Sequence, residues 1–382
     1  MLGTKLHPCS AILYLRRNTK RALPIVVIMF LAVMGVGLAF NVLNSLTETE
    51  RTNFESLDKV TILVPHDIQG LSGHATNEVT SSQYVEASYP VKLLSLNLKA
   101  LVGTTSFSLW AVPESSFTPT MNAINTHLTA GRLPTVGQAE FVVSDAVAKA
   151  KGLKIGDSIG RSVNSGDGIP GSLRLVGLLD GGSRVALASY EYVSTNQDFA
   201  TNQEALLVIP KEGQKGLMDL SLSSLLGADN VTLQNYNYLN NKLRDSTENM
   251  YLILGLVQVL IVGIMALSVG LLNYLFFLLR TDEFGLMAAI GYTHRDLAWR
   301  MVKETAVTSI IGWTIGTLGY AGIGLWLLNS YYEPRGMVFD WLNVRALAFT
   351  SPAPVIVAMF VLIPLMIRLR SLDPVAILTR RA

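Results

Sequence analysis

Residues 249–279 read NMYLILGLVQVLIVGIMALSVGLLNYLFFLL, with Glu248 before them and Arg280 after them. This run of 31 residues carries no charge. As a helix it extends about 46 Å at 1.5 Å per residue, more than the ~30 Å hydrocarbon core of a bilayer. The stretch therefore reads as a membrane span with length to spare, and the polar approach from Asn235 to Glu248 predicts that the helix continues as a stalk on one side.

Three further charge gaps of span length lie outward from it: Arg21 to Glu48, Glu304 to Glu333 and Arg345 to Arg368. They place four transmembrane helices at 24–46, 250–279, 305–330 and 347–367. The chain has 382 residues, 50% hydrophobic and 15% charged, with a mean hydropathy of +0.38. That balance excludes a soluble enzyme of ordinary composition and a disordered chain. The first span reads as an uncleaved anchor. Its apolar run is about twice a signal peptide's 7–15 residues, and its exit, Phe40 to Asn44, has no small-x-small cleavage site.

Short basic flanks set the orientation, because Lys and Arg are retained on the cytoplasmic side. Segment 1–23 carries Lys5, Arg16, Arg17, Lys20 and Arg21, with Ile12, Leu13 and Leu15 among them, as a cytoplasmic amphipathic segment would. Connection 280–304 holds Arg280, Arg295, Arg300 and Lys303, and tail 368–382 holds Arg368, Arg370, Arg380 and Arg381. Both termini are expected in the cytoplasm. The insert 47–249 and the short loop 331–346 then lie outside, with Tyr331, Tyr332 and Trp341 at the outer aromatic belt.

The insert alternates β-type runs with turn signals, which predicts an α+β extracytoplasmic domain between the first and second spans. The runs are Val60–Val64, Phe107–Val112, Ser172–Leu178 and Ala205–Ile209; helices are expected at 144–151 and 213–226. Gly156-Asp157 reads as a turn, since Gly accepts a positive φ and Asp can cap nearby amides. The Gly- and Ser-rich stretch 161–172 reads as an exposed loop.

Catalytic chemistry has no foothold. The spans contain no internal Asp, Glu, Lys, Arg or His, so the relays of an ion-coupled carrier are missing. The five histidines are scattered, one cysteine (Cys9) stands alone, and neither His-Glu-x-x-His nor Gly-x-Ser-x-Gly occurs. There is no phosphate-cradling Gly-x-x-x-x-Gly-Lys-Ser/Thr loop, so no catalytic residue, metal ligand or cofactor site is assigned. A net charge of +2 gives no footprint for nucleic acid. In the third span Gly312, Gly316, Gly319, Gly322 and Gly324 form a small face, with Gly312 and Gly316 as the close-packing pair, within one subunit or between two. Pro352 and Pro354 near the start of the fourth span predict a local kink.

The connection after the second span reads Arg280-Thr281-Asp282-Glu283-Phe284-Gly285-Leu286-Met287-Ala288-Ala289-Ile290-Gly291-Tyr292-Thr293-His294-Arg295. Phe284, Met287 and Ala288 recur at helical spacing, as do Leu286 and Ile290. So short a cytosolic helix has no core of its own and needs a partner or the lipid surface. The segment resembles the cytoplasmic segment of MacB-like and FtsX-like ABC permeases, with Arg280, Glu283, Gly285, Ala289, Gly291 and Arg295 matching and Ala288 departing from a common basic residue. The tail around Asp373 and Pro374 looks like the same family's terminal signature. Gly131–Pro134, Lys151–Asp157 and Leu175–Gly177 are similar to its periplasmic core.

The resemblance implies a permease subunit with Arg280, Glu283, Phe284, Gly285, Leu286, Met287, Ala289, Gly291 and Arg295 on a coupling helix that docks on a separate cytoplasmic ABC ATPase. ATP and Mg would be bound by that partner and not by this chain. It further implies a second permease subunit, a bacterial cytoplasmic membrane, and an adaptor or substrate protein outside. An FtsX-like regulator of an extracytoplasmic partner such as a cell-wall hydrolase is the alternative, and a membrane-anchored sensor or structural protein without an ATPase is a third reading.

Overall fold

The computed structural model describes residues 19–66, 70–99, 104–181, 183–202, 204–226, 231–335 and 337–369. Most of the amphipathic segment 1–23, Cys9 and the tail pair Asp373 and Pro374 lie outside the described residues. The chain forms two compact units. One holds the membrane helices, and the other comprises Asn44–Glu248 together with Asn329–Phe339.

Four helices of the described residues are long and apolar enough to cross a membrane. Helix α1 runs Thr19–Asn53. In the insert come β1 (Thr61–Pro65), α2 (Gly73–Ser81), β2 (Val85–Lys99), β3 (Thr104–Val112), α3 (Phe117–Ala123), β4 (His127–Gly131), β5 (Glu140–Ser144) and α4 (Asp145–Lys151). They are followed by β6 (Ser158–Ile159), β7 (Leu173–Asp180), β8 (Ala186–Ser189), α5 (Tyr190–Thr195), β9 (Glu204–Pro210), α6 (Lys215–Leu225) and β10 (Val231–Gln234). The second span is part of α7, Tyr236–Leu278, a single helix of 43 residues or about 65 Å. Short α8 (Thr281–Ala289) and long α9 (His294–Leu327) follow, then α10 (Val344–Thr350) and α11 (Ala353–Leu369).

The insert is a ten-stranded mixed sheet in the order β10-β1-β9-β2-β3-β8-β5-β7-β4, with β6 paired to β7. Its pairs are antiparallel except β3 with β8 and β5 with β7. Helices cover both faces. On β3, Phe107, Leu109 and Ala111 pack toward α4 and α5, whereas Trp110 and Val112 pack toward α3. On β9, Ala205, Leu207 and Ile209 alternate with Leu206 and Val208, the latter two meeting α2 and α6. Burial on both sides explains why these strands read as unbroken apolar runs.

The turn at Gly156 has φ +103, and Asp157 Oδ2 accepts the Lys154 N–H at 2.8 Å. The loop 161–172 is exposed over 161–166 as expected, and its second half departs from that reading. Asp167 is buried, ion-paired with Lys151 and accepting the Gly160 N–H at 3.0 Å, while Ile169 is fully buried in the sheet's core. Composition marks that loop as polar, but one acid and one isoleucine fasten it.

In the membrane unit, Ile25, Met29 and Val33 of α1, Met265, Ala266 and Val269 of α7, and Ala353, Val357 and Val361 of α11 share one core. The five glycines of α9 do not share one face: Gly312, Gly316 and Gly319 turn to α1, a Cβ on Gly322 would meet nothing within 4 Å, and Gly324 lies against the Trp341 backbone. A Cβ on Gly312 would lie 2.7 Å from Met29 Cβ, and one on Gly316 would lie 2.9 Å from Val33 Cβ. The close-packing pair therefore serves contacts inside one subunit. The fourth span breaks at Ser351 and Pro352, between α10 and α11, because proline has no N–H to continue the ladder. Tyr332 leaves the expected aromatic belt: it is buried, stacked on Phe339 at 4.3 Å.

Candidate coupling site

Helix α8 is separated from α9 by local signals. Gly291 takes φ +104, and the Tyr292 N–H donates to Met287 O at 3.1 Å, a left-handed C-terminal stop that favours glycine. Two residues later Thr293 opens α9 with a reciprocal cap. The Asp296 N–H donates to Thr293 Oγ1 and the Thr293 N–H donates to Asp296 Oδ2. The corner between α8 and α9 is thus written in four consecutive residues, Ile290 to Thr293.

The helix then packs by one face. Phe284 is fully buried, stacked on Phe277 at 5.2 Å and enclosed by Leu297, Ala298 and Met301, with Met287 partly buried beside it. Gly285 is buried as well. The expectation that so short a helix has no core of its own is corrected: its inner face shares one with α7 and α9. The outer face stays open. Leu286 is 56% and Ile290 71% exposed, and Glu283, Ala289, Gly291, Tyr292 and Arg295 are exposed with them.

Arg280 is 3% exposed, at the junction of α7 and α8. Its Nη1 donates to Glu304 Oε2 at 3.1 Å and its Nε to Glu283 Oε2 at 2.9 Å, and its guanidinium lies 5.0 Å from the Phe284 ring centroid. Arg300 Nε donates to the other oxygen of Glu304 at 3.2 Å. One buried carboxylate thus bridges two guanidiniums, because an unpaired buried charge would be far more costly than a paired one. Of the residues singled out from the sequence, Arg280, Glu283, Phe284 and Met287 take part in this internal clamp, Gly285 is buried beside it, and Leu286, Ala289, Gly291 and Arg295 lie outside it. Sequence reasoning missed Glu304, although Arg300 and Glu304 stand four apart, the spacing at which helical ion pairs meet. Deeper in the unit Thr305 Oγ1 donates to Asn273 Oδ1 at 3.0 Å, tying α9 to α7. Among the described residues no three His, Cys, Asp or Glu side chains gather as metal ligands would.

This corner lies inside a recognised unit: residues 255–374 match the family model described as FtsX-like permease C-terminal. Those residues, about a third of the chain, are similar to the FtsX-like permease family. The matched stretch begins within α7 and contains α8, the Arg280–Glu304 clamp, the glycines of α9 and the broken fourth span. No curated protein matches the chain. Among solved structures the chain is similar to the periplasmic region of MacB from Actinobacillus actinomycetemcomitans, at 14% identity and TM-score 0.30, over 49% of this chain and 92% of that one. It is also similar to the extracellular domain of YknZ, a noncanonic ABC-type transporter from Gram-positive bacteria, at 14% identity and TM-score 0.30, over 46% and 99%. A domain of a putative permease from Porphyromonas gingivalis matches at 15% identity and TM-score 0.27, over 48% and 92%.

Proposed function

We propose that the chain is the permease subunit of a MacB-like ABC transporter. In this reading α8 docks on a separate cytoplasmic ATPase that binds ATP and Mg, and a second permease subunit completes the assembly. The insert lies outside a bacterial cytoplasmic membrane, where it meets an adaptor or a substrate protein. The observation that carries the reading is the two-sided character of α8. Its inner face is fixed by Phe284 and the buried Arg280, while Leu286 and Ile290 stand exposed on the other side. A helix rigidly joined to two spans, with an unfilled apolar face, can pass a push from a soluble partner into those spans.

An FtsX-like regulator would use the same device to switch an extracytoplasmic partner such as a cell-wall hydrolase, and the FtsX-like match favours keeping that reading second. A sensor or anchor without an ATPase is the third. The test is copurification of an ATPase with the detergent-solubilised chain, wild type against Leu286→Glu and Ile290→Glu. Both positions are exposed, so the variants should fold and insert, yet lose most of the ATPase. Gly285 is a poorer probe, because it is buried inside the chain. Equal recovery of ATPase with wild type and both variants would remove α8 from the docking surface, and no ATPase with wild type would favour the third reading.

A further inference from the structure

The flank of α9 beside the docking helix carries a second surface. Trp299 and Lys303 are exposed, Trp299 at 57%, and the Lys303 Nζ sits 5.7 Å from the indole centroid. At 100° per residue, Trp299, Lys303, Ile310 and Thr314 fall within about 60° of arc, so the charged rim and the exposed apolar row above it are one continuous face. Ile310 and Thr314 belong to the uncharged span, where an exposed side chain meets hydrocarbon. Lys303 is the last cation before that span, and Arg295 lies two turns below it on the exposed side.

Between the end of α8 and the first turns of α9 lies a cavity of about 190 Å³, walled by Met287, Tyr292, Trp299, Arg300 and Lys303. The acid on its wall, Asp296, is committed to the Thr293 N–H and hydroxyl at 3.1 and 2.6 Å. Glu304, which balances Arg300, is buried. Asp296 keeps its negative charge, so Lys303 and Arg295 together leave the rim one net positive charge beside an aromatic ring, directly below the uncharged span.

We propose that this rim binds the headgroup of an anionic phospholipid. Its phosphate rests against Lys303 and the Trp299 ring, with Arg295 about two turns below, its glycerol region lies between Lys303 and Ile310, and an acyl chain follows Ile310 and Thr314. The cations select an anionic headgroup over a zwitterionic one. The continuity with the span selects a lipid over a soluble anion. The inference concerns the flank of α9 and does not depend on ATPase docking to α8.

The experiment uses the full chain in mild detergent. Retained phosphatidylglycerol and phosphatidylcholine are measured by native mass spectrometry after equal exposure to both. Phosphatidylglycerol should be retained preferentially, and Lys303→Gln should lower that preference about fivefold, the effect of one interfacial lysine on an anionic lipid. Lys303→Arg should keep it, as should Arg244→Gln on the polar part of α7. Equal retention of the two lipids by the wild type, or a preference unchanged in Lys303→Gln, overturns the proposal. So does displacement of the bound lipid by inorganic phosphate alone, which would make the rim a site for free anions. Loss of the ATPase from Lys303→Gln with the lipid preference intact would also overturn it, assigning the surface to the protein partner. Loss of the ATPase from Ile290→Glu with lipid retention unaffected leaves it standing.

Discussion

The glycines of α9 and α7 offer a graded test in which one chemical change, Gly→Ala, should have opposite outcomes according to whether α1 packs against the position. Alanine removes glycine's helix penalty of about 1 kcal/mol wherever there is room. At Gly322 of α9 and Gly263 of α7 there is room, since an added Cβ meets nothing within 4 Å. At Gly312 it meets Met29 Cβ at 2.7 Å and Val26 O at 3.0 Å, and at Gly316 it meets Val33 Cβ at 2.9 Å and Phe30 O at 3.1 Å. Carbon atoms rest about 3.5–4.0 Å apart, so α1 and α9 must separate by most of an ångström and give up close contacts along both turns. Overpacking of this kind costs about 1–3 kcal/mol. Gly312→Ala and Gly316→Ala should therefore be about 1–3 kcal/mol less stable than Gly322→Ala and Gly263→Ala. Gly316→Leu should fall further. Thermal denaturation of the detergent-solubilised full chain, followed by far-ultraviolet circular dichroism, ranks the five variants. If Gly312→Ala and Gly316→Ala melt with Gly322→Ala, α1 does not pack on this face and the reasoning fails.

The buried clamp should break unevenly. Glu304→Gln strands Arg280 without its buried counter-charge and should cost about 3–5 kcal/mol, whereas Arg280→Met combined with Glu304→Leu should recover part of the loss in the same melts. In the insert, Arg132 and the Thr135 N–H hold the Glu140 carboxyl at about 2, down from its ordinary 4.5. Its contribution is present above pH 4.5 and lost as pH falls toward 2, so Glu140→Gln should flatten the dependence of the melting midpoint on pH across that window. Finally, a membrane-impermeant maleimide should leave Cys9 unlabelled in intact cells and should label Ser165→Cys; the reverse pattern would invert the orientation.

Spans and strands were legible where burial imposed a simple pattern. The uncharged run 249–279 announces α7, and Phe107–Val112 and Ala205–Ile209 announce central strands, because both faces of each strand are covered. Strand β2 was hidden, since its fifteen residues mix Glu86, Lys92, Ser95 and Asn97 with leucines and its first six residues are at most half-buried. The site was half legible. The corner at Gly291 and Thr293 is local chemistry and can be read from four letters, but the partnership of Arg280 with Glu304 joins residues 24 apart, which no periodicity announces. The same holds for Asp167, whose partners Lys151 and Gly160 come from other turns of the chain.

One contact carries an implication for how the protein is made. Ser45, near the end of α1, donates its hydroxyl to Val338 O at 2.7 Å, across 293 residues of sequence, and the ledge of Tyr332 and Phe339 belongs to the same compact unit as the insert. A ribosome adding about 5–20 residues per second delivers that ledge roughly 15–60 s after Ser45 has emerged. The sheet can be assembled long before then, but the hydroxyl of Ser45 must wait for two more spans to be synthesised. The nascent insert therefore passes through an interval with this edge uncovered, in which a chaperone or a neighbouring nascent chain has access to it.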